Sequence, residues 1–76
     1  MASICHYRMS QNGNLELVDS SQLAHGITLV KARKMMEQKA VQKFGSDWKI
    51  KTARNWLYPF YIAGLQQHAI DSLVLE

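Results

Sequence analysis

The chain has 76 residues, 47% of them hydrophobic and 20% charged, with a formal net charge of +3. That length supports one domain with one core, and the composition is too apolar for a disordered chain. No apolar run reaches the roughly 18–20 residues of a membrane-spanning helix, because the longest, residues 56–63, contains Pro59 and stops at Gly64.

Residues 1–6 have neither the charged nor the apolar region of a signal peptide, so a cytoplasmic location is expected. Cys5 is the only cysteine, which rules out an internal disulfide and fits a reducing compartment. His6 is adjacent, but neighbours on a strand point to opposite faces. Cys5 therefore reads as a small buried apolar residue and not as a nucleophile activated by His6.

Residues 4–9 and 15–18 alternate and flank Gln11-Asn12-Gly13, which predicts a β-hairpin. A two-residue Asn12-Gly13 turn would mix polar and apolar residues on both faces. A three-residue loop, with Gly13 in the left-handed conformation, pairs Met9 with Leu15, Tyr7 with Leu17 and Arg8 with Glu16. That register gives one apolar face, expected to be the buried one, and one polar face with an opposite-charge pair.

Residues 20–26 are expected to form a short helical turn closed by Gly26. Thr28 then suits an N-cap, with a helix running to Phe44 and Gly45 as its stop. Leu29, Ala32, Met36, Ala40 and Phe44 recur at helical spacing and predict a buried stripe. Lys31, Lys34, Gln38 and Gln42 fall on the opposite side, and Arg33 has Glu37 one turn later as an i,i+4 partner. Lys39 and Lys43 near the C-terminal end suit the helix dipole.

A second helix is expected from Ser46 or Asp47, because Ile50, Ala53, Leu57, Tyr61, Gly64 and Leu65 keep helical spacing. Pro59 should kink or break it. The rival reading makes residues 48–52 a strand, since Trp48-Lys49-Ile50-Lys51-Thr52 alternates. Residues 70–75 read as a short C-terminal strand pairing with the hairpin, or as an extension of the second helix. The expected fold is a single α+β domain over residues 1–76. In it, a β-hairpin is followed by two helices packed on one face of a small antiparallel sheet. An unpaired edge on the first or the C-terminal strand predicts a homodimer through strand pairing or the aromatic helix.

Charge is unevenly spread. Residues 31–54 hold Lys31, Arg33, Lys34, Lys39, Lys43, Lys49, Lys51 and Arg54 against Glu37 and Asp47, a net +6. The rest sets Arg8 against Glu16, Asp19, Asp71 and Glu76, a net −3. Several cations on a rigid surface can grip a nucleic-acid backbone by displacing its counterions. The Phe44-Gly45-Ser46-Asp47 turn gives only a weak helix-turn-helix signal, because Trp48 and Trp56 are too bulky for base reading. In the aromatic run 56–61 most side chains are expected in the core, with Tyr58 and Trp48 reaching the surface as interface anchors.

Catalytic patterns are lacking. His6, His25 and His68 are far apart, so no zinc spacing exists, and the four glycines make no phosphate-cradling cluster. An enzyme would have to unite two of these histidines, or one with Asp19 or Asp71, in a cleft. No cofactor, metal, membrane or small-molecule substrate is expected. The sequence predicts a small basic non-enzymatic protein that engages nucleic acid or an acidic protein surface through Lys31, Lys34, Lys49, Lys51, Arg54, Trp48 and Tyr58. The alternative is a small inhibitor or adaptor, of the kind phages and plasmids encode, that occupies a surface on a larger host protein.

Overall fold

The computed structural model describes residues 2–52 and 60–76. Strands β1 (Ser3–Met9) and β2 (Leu15–Gln22) form the hairpin. Gly13 sits at φ 82°, and Met9 pairs with Leu15, Arg8 with Glu16 and Tyr7 with Leu17, the register the alternation predicts. β2 then continues four residues beyond Val18, where a short helical turn was expected. A bulge between His6 and Tyr7 inserts Val18, so that His6 pairs with Asp19. The extra residue changes the phase of β2, placing Leu15 and Leu17 on one face and Asp19 and Ser21 on the other.

Helix α1 (Leu29–Phe44) follows a turn at Gly26. The Thr28 hydroxyl accepts from the Lys31 amide at 3.3 Å, and Gly45, at φ 63°, ends the helix by donating to the Val41 carbonyl. Both ends thus satisfy backbone groups that a helix leaves open. Ala32, Met36, Ala40 and Phe44 are buried as expected, whereas Leu29 at the head of the stripe is exposed.

The second helix is overturned among the described residues. Trp48–Lys51 is strand β3 and Tyr61–Gly64 is strand β4, and the expected kink at Pro59 lies outside the described residues. Period-2 alternation prevails because Trp48 and Ile50 pack against the core while Lys49 and Lys51 point away from it. The helical spacing was coincidental: Ile50 lies against the core and Tyr61 on the opposite sheet face. The turn after Phe44 therefore leads to a strand, which removes the helix-turn-helix. A 3₁₀ turn (Gln66–His68) and strand β5 (Asp71–Leu75) complete the chain.

The sheet runs β2-β1-β5-β4-β3, with every pair antiparallel. β5 is thus the central strand, and the sheet edges are β2 and β3, not the first or C-terminal strand. Among the described residues one helix, not two, covers the sheet. Ile4, Ile62 and Leu73 meet Met36, Ala40 and Phe44 in a core closed by Leu23, Ala32 and Phe60. No helix of the described residues is long and apolar enough to cross a membrane.

Candidate nucleic-acid interface

Two constellations carry polar chemistry. One lies under α1, and the other lies on the sheet face that α1 leaves uncovered.

Beneath the helix, β1 and β5 place His6, Arg8 and Asp71 together. His6 Nε2 donates to Asp71 Oδ1 at 2.9 Å, and Arg8 Nε donates to the same oxygen at 3.0 Å. His68 Nδ1 stands 3.8 Å from Asp71 Oδ2. The Phe44 ring lies between the two imidazoles, 5.5 Å from His6 edge-on and 5.1 Å from His68. Burial raises the Asp71 pKa, but the hydrogen bonds from His6 and Arg8 outweigh it and leave the carboxyl below its ordinary value.

The cluster unites three of the enzyme candidates, but not in a working order. His6 and Asp71 are each about 5% exposed, and His6 Nδ1, the atom that would face a nucleophile, is buried without a partner among the described residues. It is built as a brace across the β1–β5 pair. His25 is exposed, and Asp19 binds Lys43. Among the described residues no group of three or more His, Cys, Asp or Glu side chains is placed to hold a metal ion. Cys5 is buried on the opposite sheet face from His6, and burial, reinforced by Glu76, pushes its thiol up to about 11.

The cations of residues 31–51 divide into two kinds. Arg33 lies 3.7 Å from Glu37, Lys43 binds Asp19 at 2.5 Å, and Lys39 donates to the Ser21 hydroxyl. The last two pin the C-terminal half of α1 onto the edge strand β2. Lys31, Lys34, Lys49 and Lys51 are exposed and have no acidic partner among the described residues. The fold does not gather these four. Lys31 and Lys34 lie on the outer side of α1, and Lys49 and Lys51 lie on the far face of the sheet. Of the aromatic anchors, Trp48 is half-buried against the core and donates its indole N–H to the Gly45 carbonyl at 2.9 Å. One side of the indole packs on the core and the rest stays open to solvent. Tyr58 and Arg54 lie outside the described residues.

Sequence reasoning missed the face itself. Its central rows run Leu17, Tyr7, Ser72, Ala63, Lys49 and Ser20, Cys5, Val74, Tyr61, Lys51 across the five strands. The apolar side of the hairpin, expected in the core, belongs here: Met9, Leu15 and Leu17 are 45%, 50% and 58% exposed. The helix covers the other side because Ile4, Leu73 and Ile62 line up across β1, β5 and β4 there. The far face also holds a hollow of about 240 Å³ lined by Met9, Leu15, Tyr61, Ala63, Ile70 and Ser72. The signal that could have found it is the alternation of Lys49 and Lys51 with Trp48 and Ile50. Compared with known proteins, the chain matches no family model, no curated protein and no solved structure.

Proposed function

We propose that this protein is a small non-enzymatic cytoplasmic binding module whose partner is nucleic acid, alone or within a nucleic-acid-handling complex. The carrying observation is the division of the basic segment. Lys39, Lys43 and Arg33 are taken up by contacts within the fold, whereas Lys31, Lys34, Lys49 and Lys51 extend into solvent without acidic partners among the described residues. Fold stability gives no reason for those four. Lys31 lies in the first turn of the helix, at the end where the dipole disfavours a cation, and Lys49 and Lys51 stand together on an edge strand. Each phosphate such a lysine neutralises releases counterions and adds affinity.

The test is binding of fluorescently labelled oligonucleotides, single-stranded and duplex, across a salt series. Affinity is expected to fall steeply between about 50 and about 200 mM salt. Affinity that does not change with salt contradicts the electrostatic basis.

A second reading, a protein-binding inhibitor or adaptor, draws support from the exposed Met9, Leu15, Leu17 and Ile70 on the far face. Apolar side chains grouped in this way suit the centre of a protein interface. If it holds, Leu17→Glu abolishes capture of a protein from nuclease-treated lysate, while the variant melts like the parent. Capture by that variant as by the parent contradicts it.

A further inference from the structure

We infer that a second copy of this chain pairs antiparallel with the outer edge of β2, joining the two sheets into one, with Leu17 opposite Ser20 and Leu15 opposite Gln22 of that copy.

The sheet has two edges, β3 and β2. β3 is four residues long and carries Lys49 and Lys51, which guard an edge against a further strand. β2 is eight residues long, contains no lysine, arginine or proline, and is exposed at every position except Ser21. Leu17 and Val18, at its middle, are 58% and 46% exposed. A long unguarded edge of this kind is a template for another strand.

The backbone phase along β2 selects which strand. Ser10 N–H donates to the Asn14 carbonyl, and Leu23 N–H donates to the Ala2 carbonyl. Bonded and non-bonded pairs alternate along an antiparallel ladder, so Glu16, Asp19 and Ser21 also turn their backbone groups toward β1. Leu15, Leu17, Ser20 and Gln22 turn theirs outward. The inserted Val18 sets Leu17 and Ser20 three residues apart, where the other outward steps are two. A regular strand offers outward groups at every second residue, so it matches only one half of this edge. A second β2 running antiparallel carries the same irregular step. With a two-fold axis between Val18 and Asp19, every outward residue of one copy faces an outward residue of the other.

The same register is complementary in charge. It sets Glu16 opposite Ser21 of the second copy, on the side of the sheet that α1 covers. Glu16 is exposed, and the Arg8 guanidinium across from it is turned to Asp71. Ser21 accepts from Lys39 of its own chain. Side chains directly opposite on paired strands are about 5 Å apart, so each Glu16 carboxylate comes within reach of the Lys39 ammonium of the other copy. The symmetry makes this contact twice. No like charges face one another, because Asp19 stands opposite Val18.

The experiment is sedimentation equilibrium of the full chain and of two charge variants, alone and mixed, without nucleic acid. The parent is expected to reach the mass of two chains as concentration rises. Glu16→Lys sets a like charge against Lys39 at both ends of the pair, and Lys39→Glu does the same against Glu16. Each variant alone is expected to weaken the dimer by about tenfold or more. An equal mixture restores opposite charges at both ends and should dimerise like the parent. Amide exchange in the parent needs neither variant to fold. The N–H groups of Leu15, Leu17, Ser20 and Gln22 are expected to exchange at least about tenfold more slowly where the dimer forms than after dilution. Four results would each overturn the inference. They are a parent of one-chain mass up to about 1 mM, a dimer unaffected by either variant, a mixture of folded variants no more dimeric than its components, and exchange at those amides that ignores concentration.

Discussion

Asp71 is the buried acid on which His6 and Arg8 converge, and it ties β1 to the central strand β5. Asp71→Ala leaves the buried His6 Nε2 without its acceptor and is expected to destabilise the fold by about 1–3 kcal/mol, read from urea unfolding. The folded-state pKa of Asp71 lies below its ordinary value, as does that of Asp19, which the hydrogen bond from Lys43 lowers. A depressed carboxyl pKa gives stability that is present above the unfolded value near 4 and lost as pH falls through the folded value. The stability curve should therefore drop below about pH 4, and Asp71→Ala should flatten that drop. Cys5 works in the opposite sense. Its thiol is raised from about 9 to about 11 in the folded chain, so the unfolded state loses its proton first as pH rises. Stability contributed by Cys5 is present below about pH 9 and declines through about pH 11. The difference in melting temperature between the parent and Cys5→Ala should narrow across that window. A constant difference contradicts the assignment.

Two elements depend on contacts that only the folded chain makes. A Cβ added to Gly64 would lie 1.9 Å from the His68 carbonyl oxygen, because the 3₁₀ turn folds back against the end of β4. Gly64→Ala is expected to cost at least about 2–3 kcal/mol in an unfolding titration, since backbone and not a flexible side chain must move. The other element is α1, held to β2 by Lys43 and Lys39. Lys43→Glu should cost about 0.2–1 kcal/mol, as for an exposed ion pair, while Lys34→Glu leaves the melting temperature unchanged within error. The helix was legible in the sequence because Thr28, the Ala32-Met36-Ala40-Phe44 stripe and Gly45 all specify the same segment. The hairpin register was legible for a similar reason: Gly13 and the pairing of Arg8 with Glu16 allow one alignment. The buried face of the hairpin was not legible. Alternation separates two faces without saying which one the helix covers, and the inserted Val18 reverses the phase of β2 partway along. The His6–Asp71 brace joins residues 65 positions apart, and no local pattern records such a contact.

At the scale of the whole molecule, the five-stranded sheet separates the cations that have no acidic partner among the described residues into an outer-helix group and a far-face group. The basic segment is continuous in sequence but divided in space, because β3 alternates instead of continuing as a helix. A partner can therefore engage one side without the other: the far face sets its lysines beside Leu15 and Leu17, and the outer helix sets its own beside exposed Val30 and Val41. The central claim, that solvent-facing lysines bind nucleic-acid phosphates, has a direct quantitative signature. For a single strand, the slope of log affinity against log salt is about −0.7 per phosphate neutralised. The most direct measurement is that slope for the parent chain and for Lys49→Ala with Lys51→Ala. The account predicts that the double substitution makes the slope shallower by about 1.4, for two lost phosphate contacts. A parent chain whose affinity is flat with salt, or a double variant with the parental slope, would contradict it.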